Sequence, residues 1–199
     1  SFALLRHASV LGIFLGFFAY DYAWYLYTNW LPAYLRVGRH LSTVEMGVYS
    51  SVPFLAMAAI IIVSGLLSDA MIRRGYPEVA IRKTFILVGL LIACLVVPAA
   101  LVKDNRTAVW LITLSLCGIG ISAPNTWTLT QAVCAKHLVG TVSGIQNFGG
   151  NLGGILAPAL TGYIVHTTHS FALALEITGA ILLVGMAAYA VLIRARVEE

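Results

Sequence analysis

The chain has 199 residues, 60% of them hydrophobic and only 10% charged, with a formal net charge of +4 and a mean hydropathy of +0.91. Soluble domains carry about 25% charged residues, so this composition excludes an ordinary soluble enzyme or binding module and defines a membrane protein. Each membrane-spanning helix needs about 20 apolar residues; the length therefore holds six spans joined by short loops, and the chemistry falls inside the bilayer.

The basic excess sits mainly in the loops, and no basic cluster is interleaved with aromatic residues, so nucleic acid is not an expected partner and membrane lipid is. Cys94, Cys117 and Cys134 fall in predicted spans with no metal-ligand spacing; they read as small packing residues, and neither metal nor cofactor is expected. Ser1 to His7 is short, and the apolar run behind it is too long and aromatic for a secretory leader. The start without methionine is read as that of a fragment, although processing leaves the same mark.

The first span is expected over 8–30, closed at Leu31-Pro32 because proline disfavours helix in the residue before it. It is dense in aromatic residues. Those near Trp30 fit an interfacial belt, whereas Tyr20 and Trp24 lie deeper, with Asp21 beside them near mid-membrane. A charge at that depth costs about 2.5–3.5 kcal/mol on insertion scales, so Asp21 faces a cavity or a partner. Two readings stand for it: a group that titrates in a functional cycle, or a neutral, hydrogen-bonded lock between helices.

A second span over 44–68 delivers the chain to Gly65-Leu-Leu-Ser-Asp69-Ala-Met-Ile-Arg73-Arg74-Gly75, read as a short basic loop. The third, over 84–102, is almost wholly apolar and contains Pro98. The fourth, over 108–134, changes character in its second half, where Asn125, Thr126, Trp127, Thr128 and Gln131 appear within two turns. Polar side chains are costly in hydrocarbon unless they meet one another or water, so this face lines a cavity.

The fifth span, over 141–165, carries Gly149-x-x-x-Gly153 and Gly150-x-x-x-Gly154, spacings that permit close backbone contact in a bilayer. Asn147 and Asn151 lie one turn apart among them, more than one interhelical hydrogen bond requires. The sixth span is expected over 171–193. Counting cations, Arg6, Arg73, Arg74, Arg82, Lys83, Lys136, Arg194 and Arg196 fall on one side and Arg36, Arg39, Lys103 and Arg106 on the other. That bias of eight to four predicts that both termini are cytoplasmic.

The spacing Gly65-x-x-x-Asp69-x-x-x-Arg73-Arg74 resembles the inter-helix signature loop of the major facilitator superfamily. Ala70 stands where the fuller pattern has a basic residue, and Met71-Ile72 replaces its second glycine, as in the weaker copy in the second half of such proteins. Asn29-Trp-Leu-Pro-Ala-Tyr-Leu35, Ala80-Ile-Arg-Lys83 and Ser143-Gly-Ile-Gln-Asn-Phe-Gly-Gly-Asn-Leu-Gly-Gly154 resemble, in order, helix seven, the eighth-to-ninth connection and helix eleven of the anion:cation symporter branch.

The resemblance implies an all-α membrane protein whose six transmembrane helices are helices 7–12, the C-terminal half of a twelve-helix carrier. It implies transport of small organic anions, in bacteria often sugar acids such as hexuronate or galactonate, by alternating access coupled to H+ or Na+ in the inner membrane. Trp127 and Asn147 fall where the family places substrate contacts. Asn125, Thr126, Thr128 and Gln131, with Asn151, are then expected to bind sugar hydroxyls, and Tyr20 and Trp24 to form an aromatic wall. Gly65, Asp69, Arg73 and Arg74 are expected to act as a latch toward a missing N-terminal half, which holds the family's main anion-binding arginine and coupling carboxylates.

Two other classes compete. One is a six-helix module that dimerises or does not transport. The other is an intramembrane hydrolase, for which Ser143 would need a histidine in reach, whereas His166 and His169 are predicted at the opposite face and His137 in a loop. No enzymatic activity is expected.

Overall fold

The computed structural model describes Leu4, residues 6–194 and Val197. Arg196, counted among the cytoplasmic cations, lies outside the described residues. Among the described residues, six helical segments are long and apolar enough to cross a membrane, built from seven α-helices: α1 (Ala8–Ala33), α2 (Thr43–Arg73), α3 (Glu78–Ala93), α4 (Val96–Leu101), α5 (Asn105–Val133), α6 (Val139–Thr168) and α7 (Ala172–Leu192). The third span is α3 and α4 together.

α1 does not stop at Pro32, where the sequence predicted its end. It runs to Ala33 and on through a π-helical turn, Tyr34–Gly38. Neighbouring spans hold the extension: the Trp30 indole donates to the Pro158 carbonyl at 3.3 Å, and the Tyr34 hydroxyl to that of Ala99 at 3.2 Å. These contacts override the local preference of proline.

α2 opens on a reciprocal capping box, Ser42 with Glu45. It continues through Asp69 to Arg73 before Gly75, at φ +95°, ends it in the left-handed conformation. The stretch predicted as a loop is thus mostly helix. Gly65, Asp69 and Arg73, spaced by four, share one stripe of α2, and only the turn around Arg74 and Gly75 and the residues up to Pro77 connect it to α3.

Pro98 breaks the third span one turn upstream of itself, since it has no N–H to offer the Cys94 carbonyl. That carbonyl accepts instead from the Val97 amide at 3.0 Å, and Ser115 of α5 donates to the neighbouring Ala93 carbonyl at 2.5 Å. The Tyr27 hydroxyl donates in turn to Ser115 at 2.6 Å. A proline in one helix thereby fixes a hydroxyl chain through three.

α1 packs mainly on α6 and α7, and α5 on α3 and α2. At the α1–α6 crossing the backbones touch: a Cβ at Gly153 would lie 2.6 Å from the Phe18 carbonyl oxygen, and one at Gly149 2.8 Å from that of Phe14. The aromatic rings of α1 lie against this glycine row. Val197 closes the fold by bridging in parallel to Cys134, with its N–H on the Val133 carbonyl at 2.9 Å.

Candidate functional site

Three helices carry the predicted site residues, and Phe17 of α1 links two of them by touching Trp127 of α5 and Gly150 of α6. On α1, Tyr20 stacks on Phe17 with ring centroids 5.4 Å apart, and Trp127 of α5 meets Phe17 edge-on at 5.1 Å. Trp127 is 36% exposed, an indole offered outward on an aromatic base. Asp21 is half-buried, and its carboxylate lies against α6 where Gly150 leaves room; any side chain at 150 would overlap it. On α6, Asn147 and Asn151 are exposed, and the Asn151 amide donates to the Asn147 side-chain oxygen at 2.5 Å and its carbonyl at 2.8 Å. Gln131 is exposed one turn beyond Trp127. The exposed or half-buried candidates on these helices are thus an indole, a carboxylate and three amides.

Other predicted residues are buried or committed to other contacts. Tyr20 is 8% exposed, Thr126 is buried and donates to the Ala123 carbonyl, and half-buried Thr128 donates to the Pro124 carbonyl at 2.8 Å. Trp24 turns toward α2, edge-on to Phe54 at 5.8 Å. Asn125 is fully buried with its amide committed: Nδ2 donates to Ser64 Oγ at 3.1 Å and the Ile121 carbonyl at 3.0 Å.

Asn125 leads to a residue that sequence reasoning left in a loop. Arg82, in the first turns of α3, is 7% exposed. Its guanidinium pairs with Asp69 at 2.6 Å and, more loosely, with Glu78 at 3.8 Å, and it donates to Ser68 Oγ at 2.8 Å and Asn125 Oδ1 at 3.4 Å. One cation thus joins the end of α2, the start of α3 and the middle of the polar stretch of α5. Gly65 lies one turn away against Pro124, 3.8 Å from a hypothetical Cβ, while Arg73 and Arg74 point into the open.

The available signal for Arg82 was spacing: Glu78 and Arg82, like Ser64 and Ser68, are four apart, which puts each pair on one helix face. Gln146 was also overlooked beside Asn147. It is fully buried, accepts from Thr130 at 2.6 Å, and its Nε2 has no partner among the described residues.

A six-span bundle with a polar face and a salt-bridged inter-helix connection is the architecture of half a secondary transporter. Residues 1–158 match the model of the Major Facilitator Superfamily, and the chain belongs to that family. It is 34% identical over 200 residues to the "Probable L-galactonate transporter" of Escherichia coli K12, covering 99% of this chain and 44% of that protein. It is 33% identical to the "D-galactonate transporter" of E. coli O6:H1, covering 96% and 44%, and 33% identical to the "Hexuronate transporter" of Bacillus subtilis 168, covering 91% and 42%. The chain thus spans a little under half the length of these relatives.

Among solved structures it superposes on the peptide transporter POT (E310Q mutant) in complex with sulfate, with a TM-score of 0.71 over 96% of this chain and 40% of that one, at 15% identity. That likeness concerns the fold alone. The chain is an integral, multi-pass membrane protein of half-transporter fold.

Proposed function

We propose that this chain forms the C-terminal wall, helices 7–12, of a carrier that moves sugar acids such as galactonate or hexuronate across the bacterial inner membrane by alternating access, coupled to H+ or Na+. The observation that carries the reading is the Trp127–Asn147–Asn151 surface. In this reading it presents an indole for the apolar face of a sugar carbon chain and amides for its hydroxyls. Six further helices supply the facing wall and the cationic group that holds the carboxylate.

Within this reading Trp127, Asn147, Asn151 and Gln131 contact substrate directly. Tyr20, Asn125, Thr126 and Thr128 support that surface from behind, and Trp24 flanks it. Asp21, half-buried at the edge of the face, is the group in this chain that takes up and releases the coupling proton if the driving ion is H+. The cation bias puts both termini and the Arg82 end in the cytoplasm.

The test is uptake of labelled galactonate by proteoliposomes containing the carrier of which this chain is part, under an imposed proton or sodium gradient. Trp127→Ala and Asn147→Ala are expected to raise KM about tenfold, the loss of roughly one well-formed contact. Unchanged KM in both variants overturns the assignment of this face to substrate.

A further inference from the structure

At the end of the bundle opposite Arg82, a cavity of about 510 Å³ opens between the π-helical turn after α1, the end of α4 and the junction of α6 with α7. Its lining includes Arg39, His40, Lys103 and His169, and no carboxylate among the described residues. The acids nearest in sequence are spent elsewhere. Asp104, next to Lys103, caps α5 through the Thr107 amide at 2.7 Å and hydroxyl at 2.6 Å. Glu45 closes the capping box of α2.

The four basic residues divide into a fixed charge and free heads. Arg39 is held rigidly: it donates to the carbonyls of Ala99 and Val102, both at 2.6 Å, and to the Tyr34 hydroxyl at 2.7 Å. Its partners are neutral, so its charge stands uncompensated at the rim. The side chains of His40, Lys103 and His169 make no hydrogen bond or ion pair among the described residues.

The backbone adds an independent observation. His40 (φ 56°) and His169 (φ 53°) are the only non-glycine residues in the left-handed conformation among the described residues, and both line this cavity. Glycine adopts that conformation without steric cost, and glycine is the residue this chain uses at the end of α2. An imidazole at both positions therefore trades backbone comfort for a donor facing the cavity. Ser170 and Phe171 at the entry to α7 complete the lining, with the Ser170 and Ala172 amides already donating to the hydroxyls of Thr168 and Ser170.

We propose that this cavity binds a small oxyanion, a carboxylate or phosphate group, held by His40, Lys103 and His169 under the fixed charge of Arg39, at a site separate from the Trp127 face. The group belongs either to a soluble anion collected from the aqueous side or to the headgroup of an anionic lipid. The inference rests on the basic lining and on the backbone of His40 and His169, and does not depend on transport.

The experiment is equilibrium binding of inorganic phosphate to the purified protein in phosphatidylcholine nanodiscs. Saturable binding is expected, weakened at least about tenfold in the Lys103→Gln/His169→Gly double variant, the effect of losing a charge-assisted hydrogen bond. His169→Gly and His40→Gly relax the backbone, so lost binding with an unchanged or higher melting temperature separates a binding role from a folding defect. Lys136→Gln, at the opposite end, is the control and retains full binding. Repeating the measurement with phosphatidylglycerol in the disc assigns the source: competition identifies a lipid headgroup, and undiminished phosphate binding a soluble anion. No saturable phosphate binding by the unaltered protein, equal binding by the double variant, or an equal loss in Lys136→Gln overturns the proposal.

Discussion

Arg82 shows how one side chain does what a sequence of loops and spans does not reveal. Positive-inside reasoning treats every cation between two apolar runs as a loop marker, and that rule has no means of distinguishing a cation that faces water from one that turns inward. Arg73 and Arg74 are exposed; Arg82, a few residues on, is sealed among Asp69, Ser68 and Asn125. Asn125 was legible as a polar residue needing company, but its partner lay on another helix and was invisible in spacing. Removing one member of a buried pair costs about 3–5 kcal/mol, and Asp69 is 47% exposed, so Arg82→Gln is expected to cost less, roughly 2 kcal/mol, measured as a lowered unfolding midpoint in detergent. Asp69→Asn keeps an oxygen that accepts from Arg82 and removes only a charge at a half-exposed position, and is expected to cost about 1 kcal/mol. In transport the order reverses in kind: because Asp69 stands at the exposed edge of the connection, Asp69→Ala is expected to lower turnover while leaving KM nearly unchanged. A raised KM with intact turnover would speak against a latch.

At the scale of the element, the six hydrophobic runs and their order were legible because hydropathy over 20 residues averages out local detail. The ends were not, since proline and charge act locally while the helices are held by their neighbours. Pro32 sits inside α1 because Trp30 and Tyr34 anchor the turns around it, whereas Pro98 breaks its span because Ser115 is placed to take the Ala93 carbonyl. Glycines that look alike in sequence also separate here. Gly153 is pressed on the α1 backbone, while Gly144, on the same helix, has nothing within 4 Å of a hypothetical Cβ. Gly153→Ala is therefore expected to destabilise the protein by about 1–3 kcal/mol through overpacking, and Gly144→Ala to stabilise it by up to about 1 kcal/mol through helix propensity. Paired thermal melts check both signs.

Over the whole molecule, the proposed function rests on which polar side chains the fold leaves exposed. Sequence placed Trp127, Gln131, Asn147 and Asn151 in hydrocarbon and predicted a cavity for them; the bundle leaves these four exposed while drawing Asn125 and Thr126 inside. Within the proposed carrier, a cysteine at 147 is expected to react with a membrane-impermeant maleimide and to be protected by galactonate, whereas one at Lys136, exposed in the α5–α6 connection, reacts without protection. Equal protection at both positions would place the substrate elsewhere. The native Cys94, Cys117 and Cys134, buried or half-buried, must be replaced first so that the label reports one position.

At Gly149 and Gly153 the main chain of α1 meets α6 with no α6 side chain between them. Two rods in direct main-chain contact cannot slide by exchanging rotamers, so tilting one must carry the other. The strips bearing Asp21 and Asn147 therefore keep their spacing throughout any rocking of the bundle. A label pair across this crossing should report a constant distance while pairs reaching to α2 change.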